Sequence, residues 1–131
     1  MYVCRNAKKM RLVISPFTDA AMNLALEEVF FKSGNETLCF IYRNTSSVIV
    51  GKHQNIFKEV NIPFCLKHNI QFLRRISGGG TVFHDLGNLN ISLHDTRNNE
   101  FKVDYKPLLQ LIKDAVTRFG IELSIGDRND L

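Results

Sequence analysis

A chain of 131 residues that is 44% hydrophobic, with ten Phe and no Trp, suits one domain with one core and is too apolar for its modest charge to be disordered. The net charge of +4 comes from Lys and Arg scattered along the chain, with one local cluster at Arg5, Lys8, Lys9 and Arg11; a solvated basic surface is expected, not a nucleic-acid binder. No apolar run approaches the roughly 20 residues that span a bilayer, and Cys4, Cys39 and Cys65 form no CxxC pair, which argues against a disulfide framework and a zinc site.

In chain order, Met10–Ser15 is rich in β-branched residues and stops before Pro16, as a strand does. Thr18 and Asp19 are good N-caps for a helix over about residues 19–33, with Met22, Leu26, Val29 and Phe30 on its apolar face and Gly34 to end it. Leu38–Arg43 and Ser47–Val50 read as strands, and Asn44–Ser46 between them as a hairpin turn. Gly51–Asn55 is a polar turn, and Lys58–Asn69 holds a short helix that Pro63 interrupts. Gln71–Ile76, Gly80–His84 and Asn88–Leu93 are strand-like. Asp104–Gly120 is a second amphipathic helix with Leu108, Leu111, Ile112, Ala115, Val116 and Phe119 on one face, followed by a strand candidate at Ile121–Ile125. Two long helices among strands at mostly hairpin spacing predict an α+β domain with a mixed sheet.

The densest chemistry lies in Arg74-Arg75-Ile76-Ser77-Gly78-Gly79-Gly80-Thr81-Val82-Phe83-His84-Asp85. Three glycines between two strands weaken both, but they let a ligand approach the main chain and let successive N–H groups converge on an anion. Arg74 and Arg75 add positive charge suited to a carboxylate or phosphate, and Ser77 and Thr81 supply hydroxyls. The segment is neither a P-loop nor a dinucleotide fingerprint, because it lacks GxxxxGK[ST] and no helical pattern follows. Elsewhere, Glu27 and Glu28 are neighbours on a helix and point in different directions. His53 and His68 have no partner at metal-ligand spacing, and Cys39 and Cys65 have none for thiol chemistry.

The run RRISGGGTVFHDLGNLN resembles the signature of the lipoate–protein ligases and the related lipoyltransferases. Asn23-Leu24-Ala25 with Glu27-Glu28, Arg43-Asn44, Gly51 with Gln54-Asn55, and Arg128-Asn129-Asp130-Leu131 match further blocks of that family in the same order. The likeness covers about residues 11–131 and identifies residues 1–131 as the amino-terminal part of such a catalytic domain, with a biotin/lipoate-ligase-like α+β core. It implies activation of lipoate with ATP and Mg²⁺ to lipoyl-adenylate, then transfer to a lysine of an apo lipoyl domain. The acceptors it implies are lipoyl domains of 2-oxoacid dehydrogenase complexes or the glycine-cleavage H protein. By motif match Arg75, Gly80, Thr81, Val82 and Phe83 are expected at the ATP and adenylate. Ser77, Gly78, Gly79 and His84 are expected at the lipoyl group, with Asp85 orienting His84 and Asn88 supporting the loop.

In that family the catalytic lysine follows the Arg-Asn-Asp segment in a Lys-[Ile/Val]-x-Gly pattern, and no lysine of this chain holds the matching position. The expectation is a catalytic lysine beyond Leu131 and an accessory carboxyl-terminal domain absent from these residues. A fragment, a split enzyme completed by a second chain, and a degenerate lipoate binder all stay open. So do an ATP-independent lipoyl- or octanoyltransferase and a non-catalytic lipoate-binding module. A cytoplasmic location is expected, with an organellar matrix as the alternative given the basic first residues; neither membrane nor metal-cage residues are expected.

Overall fold

The computed structural model describes residues 10–34, 36–94 and 106–126. By internal contacts the chain divides into two units, Met1–Thr96 and Arg97–Leu131. The first holds β1 (Arg11–Ile14), α1 (Ala20–Ser33), β2 (Leu38–Tyr42), β3 (Ser47–Val50), α2 (Ile56–Glu59), α3 (Ile62–Lys67), β4 (Gln71–Arg74), β5 (Val82–His84) and β6 (Asn90–His94). The second holds α4 (Lys106–Thr117), closed by Gly120 at φ 79°. No helix among the described residues is long and apolar enough to cross a membrane.

The strands make two three-stranded mixed sheets of like design, ordered β1-β2-β6 and β4-β3-β5. Each central strand has one parallel and one antiparallel partner: β2 lies parallel to β1 and antiparallel to β6, and β3 parallel to β4 and antiparallel to β5. Parallel pairing requires a crossover, here α1 in the first sheet and α2 with α3 in the second. The α+β class with mixed sheets is therefore observed, but the hairpin expected at Asn44–Ser46 is not. Both edges of β2 and of β3 are occupied by other strands, so the connector carries the chain from one sheet to the other. It is anchored by Thr45, whose N–H donates to the Thr18 carbonyl at 2.7 Å.

Helix α1 starts where the Asp19 carboxylate accepts from Met22 N–H at 2.8 Å, which holds that carboxyl below its usual range with help from the Gln71 amide. It ends at Gly34, whose φ of 55° suits a residue without Cβ. Leu26 and Phe30 pack with Val13 against Leu38, Phe40 and Tyr42 of β2, and the Phe30 and Phe40 rings meet edge-on at 5.2 Å. The expected apolar face is thus only half right. Met22 and Val29 are exposed, and Ala20 and Asn23 are the fully buried positions.

A second cluster joins Val50, Val60 and Cys65, with Ile56, Ile62, Ile70 and Phe72 packed around it. Pro63 does not interrupt a helix; it stands in the first turn of α3, where no N–H is needed, behind an Asn61 cap. No strand forms at Ile121–Ile125, which is irregular. The side chains of Pro107 and Leu108, and the Arg128–Leu131 block, lie outside the described residues.

Candidate functional site

Strands β3 and β4 run in parallel and end at the same place, where β5 begins. The Gly51–Gln54 turn leaving β3 and the Arg75–Thr81 loop joining β4 to β5 are therefore thrown together. They are zipped by Lys52 N–H to the Ser77 carbonyl at 2.9 Å and Arg75 N–H to the Val50 carbonyl at 3.0 Å. The Gln54 side-chain oxygen accepts from Gly51 N–H at 3.0 Å and from the Thr81 hydroxyl at 2.7 Å.

The two arginines hold this structure from both sides. Arg74 Nη1 donates to the carbonyls of Gly51, Lys52 and Gln54 at 2.8, 3.0 and 2.8 Å. Arg75 donates from Nε and Nη2 to Gly78 O at 3.1 and 2.8 Å, from Nη2 to Gly80 O at 2.7 Å, and from Nη1 to Ile49 O at 3.3 Å. Arg74 is thus a structural clamp on the turn. Arg75 gathers the loop carbonyls inward, while the N–H groups of Gly78, Gly79 and Gly80 take no hydrogen bond within the described residues. Such a row of open donors is suited to an anion.

Beside the loop, between α1 and the two sheets, lies a cleft of about 290 Å³. Its apolar walls are Leu24, Tyr42, Ile49, Val82, Leu89 and Ile91, and its polar groups Glu27, Arg75, His84 and Asn90. A smaller cleft of about 200 Å³ lies between α1 and β4 and shares Leu24 and Arg75 with the first. Burial raises the Tyr42 hydroxyl above its ordinary value, the nearby Glu27 raises it further and Arg75 opposes both, so Tyr42 stays a neutral phenol. Burial, aided by the Arg75 charge, lowers the His84 imidazole and keeps it neutral too.

His84 Nδ1 lies 3.0 Å from Asn44 Nδ2. Asn44 Oδ1 accepts from Asn23 Nδ2 at 2.8 Å, and Asn23 Oδ1 accepts from the Ser15 hydroxyl at 2.5 Å. Asp85 does not orient His84: its carboxylate accepts from Gly87 N–H at 2.7 Å, in a short turn where Asn88 Oδ1 accepts from Asp85 N–H at 3.1 Å.

Of the residues expected at the site, Arg75, Val82 and His84 line the cleft, and Ser77, Gly78, Gly79 and Gly80 form its exposed neighbouring loop. The Thr81 hydroxyl turns to Gln54. Phe83, between Val82 and His84 on a strand, points to the opposite face and is half exposed. Glu27 and Glu28 do point apart: the first lines the larger cleft and the second the smaller, where it also pairs with Lys32. Among the described residues no group of three or more His, Cys, Asp or Glu gathers to hold a metal ion. Sequence reasoning gave no role to Asn23, Tyr42 or Asn44. The available signal was that Asn23 and Asn44 stood in the matched blocks with no surface reason to be there.

Known proteins resemble this chain in sequence and in fold. The family model of the lipoyl protein ligase A/B catalytic domain matches residues 19–131. Lipoate–protein ligase 1 of Staphylococcus aureus is 41% identical over 117 residues, covering 87% of this chain and 35% of that protein. The solved structure of Plasmodium falciparum LipL1 in complex with lipoate superposes with a TM-score of 0.81 at 28% identity, over 93% of this chain and 40% of that one. A lipoate–protein ligase A bound with ATP gives a TM-score of 0.73 at 29% identity, over 93% of this chain and 51% of that one. The chain spans 35% to 36% of the length of the curated relatives it matches. It belongs to the lipoyl protein ligase A/B catalytic domain family.

Proposed function

We propose that this chain is the lipoate- and adenylate-binding part of a lipoate–protein ligase. The observation that carries the reading is one juxtaposition: an apolar-walled cleft bounded by Arg75 and His84, next to a glycine loop whose N–H groups make no hydrogen bond among the described residues. The cleft's size, about 290 Å³, falls at the lower end of the range of ligand sites, roughly 300–1,000 Å³. The acyl chain and dithiolane ring would lie against Leu24, Ile49 and Ile91, and the carboxylate would face Arg75 and His84. The ligands named in the two solved relatives, lipoate and ATP, support this assignment.

In the first step a lipoate carboxylate oxygen attacks the α-phosphorus of ATP, the bond to the bridging oxygen breaks and pyrophosphate leaves. Open N–H groups at Gly78–Gly80 supply donors for charge that grows on phosphate oxygens, with Ser77, Thr81 and Val82 flanking them and Phe83 offering an aromatic face from the other side of β5. Mg²⁺ would enter with ATP, held chiefly by phosphate oxygens with carboxylate help. In the second step the amine of an acceptor lysine attacks the acyl carbon, the bond to the adenylate oxygen breaks, AMP leaves and the amine gives up its proton. The acceptor is an apo lipoyl domain, of a 2-oxoacid dehydrogenase complex or a glycine-cleavage H protein.

The test mixes the protein with lipoate, ATP, Mg²⁺ and an apo lipoyl domain and weighs the acceptor by mass spectrometry. A gain of one lipoyl group that vanishes without ATP is expected. Transfer from an acyl donor without ATP would replace this reading with a transferase. No gain and no lipoate binding would overturn it.

A further inference from the structure

Which partner donates in the Asn44–His84 contact is decided by a chain of groups with no freedom of choice. The main-chain carbonyls of Phe17 and Arg43 can only accept, so the Asn23 amide turns Nδ2 toward them, at 3.2 and 3.1 Å. The same nitrogen reaches the Asn44 side chain at 2.8 Å, which requires an acceptor there, and Asn44 turns its Oδ1 to it. Asn44 Nδ2 is left for His84 at 3.0 Å, and an amide nitrogen only donates. His84 Nδ1 must therefore accept, and a neutral imidazole whose Nδ1 accepts carries its proton on Nε2. Ser15, donating to Asn23 Oδ1, fits the same polarity. Asn23 and Asn44 are both 0% exposed, so breaking any link strands a desolvated polar group.

We propose that Asn23 and Asn44 are positioning residues that fix His84 as the neutral Nε2–H tautomer, so that His84 offers the cleft a hydrogen-bond donor for an acyl oxygen and not a base. The identity of that oxygen rests on the lipoate reading; the tautomer does not. His84 Nε2 takes no hydrogen bond among the described residues, and the ring lines the cleft. The titratable and charged groups around the same cleft are Glu27 from α1, Tyr42 from β2 and Arg75 after β4, while β6 contributes the uncharged Asn90. Burial and Arg75 both disfavour the imidazolium, in keeping with a neutral donor. The chemistry has the same requirement. In the first step a carboxylate at neutral pH has no proton to lose, so adenylation needs no base there, whereas a donor suits both the carboxylate and the carbonyl of the activated acyl group.

The test is a long-range ¹H–¹⁵N spectrum of the histidine rings in the ligand-free chain. Wild type is expected to show His84 protonated at Nε2 and bare at Nδ1 at neutral pH; a proton on Nδ1 would overturn the proposal without recourse to any variant. In Asn44→Asp the carboxylate accepts where the amide donated, so the tautomer should flip to Nδ1–H and the His84 pKa should rise. Lipoate affinity should then fall about ten- to a hundredfold at pH above that raised pKa, and recover as the pH drops through it and the imidazolium regains its Nε2 proton. A merely structural loss would not recover with pH. An unflipped tautomer in the variant sinks the relay, and a lipoate affinity equal to wild type at every pH sinks the donor role. A flip in a protein that binds no lipoate in either form would uphold the tautomer and overturn the acyl-facing half together with the lipoate reading.

Discussion

Gly51 and Gly79 pass so close that a Cβ on Gly51 would stand 2.0 Å from the Gly79 carbonyl oxygen. The obstacle is main chain and cannot rotate away, so Gly51→Ala must push the glycine loop off the turn. We predict a loss of about 1–3 kcal/mol of stability, read as a lower denaturant midpoint, with lipoate affinity falling alongside it.

The three loop glycines are not equivalent. A Cβ at Gly78 or Gly80 would meet nothing within 4 Å, whereas Gly79 has a φ of 97° and a Cβ there would lie 2.8 Å from Arg75 Nη2. Gly79→Val is therefore predicted to strain the backbone, disturb the Arg75 clamp and weaken lipoate binding. Gly78→Ala and Gly80→Ala should keep the wild-type unfolding midpoint and lose ligand affinity. Full ligand affinity in both alanine variants would show that this space belongs to no ligand.

Arg75 joins Gly78, Gly80 and Ile49 through three different nitrogens. A lysine has one nitrogen and cannot reproduce that fork. Arg75→Lys should therefore approach Arg75→Ala, each lowering the proposed adenylate formation by about one to three orders of magnitude. A lysine variant with near wild-type rate would reduce Arg75 to a simple charge.

His84 and His94 are both held below their ordinary pKa, chiefly by burial. Above the unfolded value of about 6.5 both states are neutral and the rings contribute no pH dependence. Below it the unfolded chain takes protons that the folded chain resists, so stability falls as pH drops through the window down to the folded values. Urea midpoints at about pH 8 and about pH 5.5 should differ in that direction, and the difference should shrink in a His84→Gln, His94→Gln double variant.

The extent to which this was legible in the sequence follows the range of the interactions involved. Strands such as Ser47–Val50 and the ends of α1 at Asp19 and Gly34 are set by local chemistry, and local patterns found them. Strand pairing is not local: the three residues Asn44–Ser46 look like a hairpin, yet β2 and β3 belong to different sheets. Asn23 carries no local signal of burial, because polar side chains on helices usually face solvent. It is instead buried to satisfy carbonyls at Phe17 and Arg43, which only the folded chain brings together. The glycine loop stood out by composition, but the use of Arg74 and Arg75 as clamps on carbonyls depends on where β3 ends.

If the cleft beside the glycine loop receives the acyl chain of lipoate, methyl ¹H–¹³C spectra recorded during a lipoate titration will register it there. Shifts are expected in the methyls of Leu24, Ile49, Val82 and Ile91, which line the cleft, and none in Ile56 and Ile62, which pack in the separate cluster around Val50. Still cleft methyls, with lipoate either unbound or perturbing only Ile56 and Ile62, would contradict it.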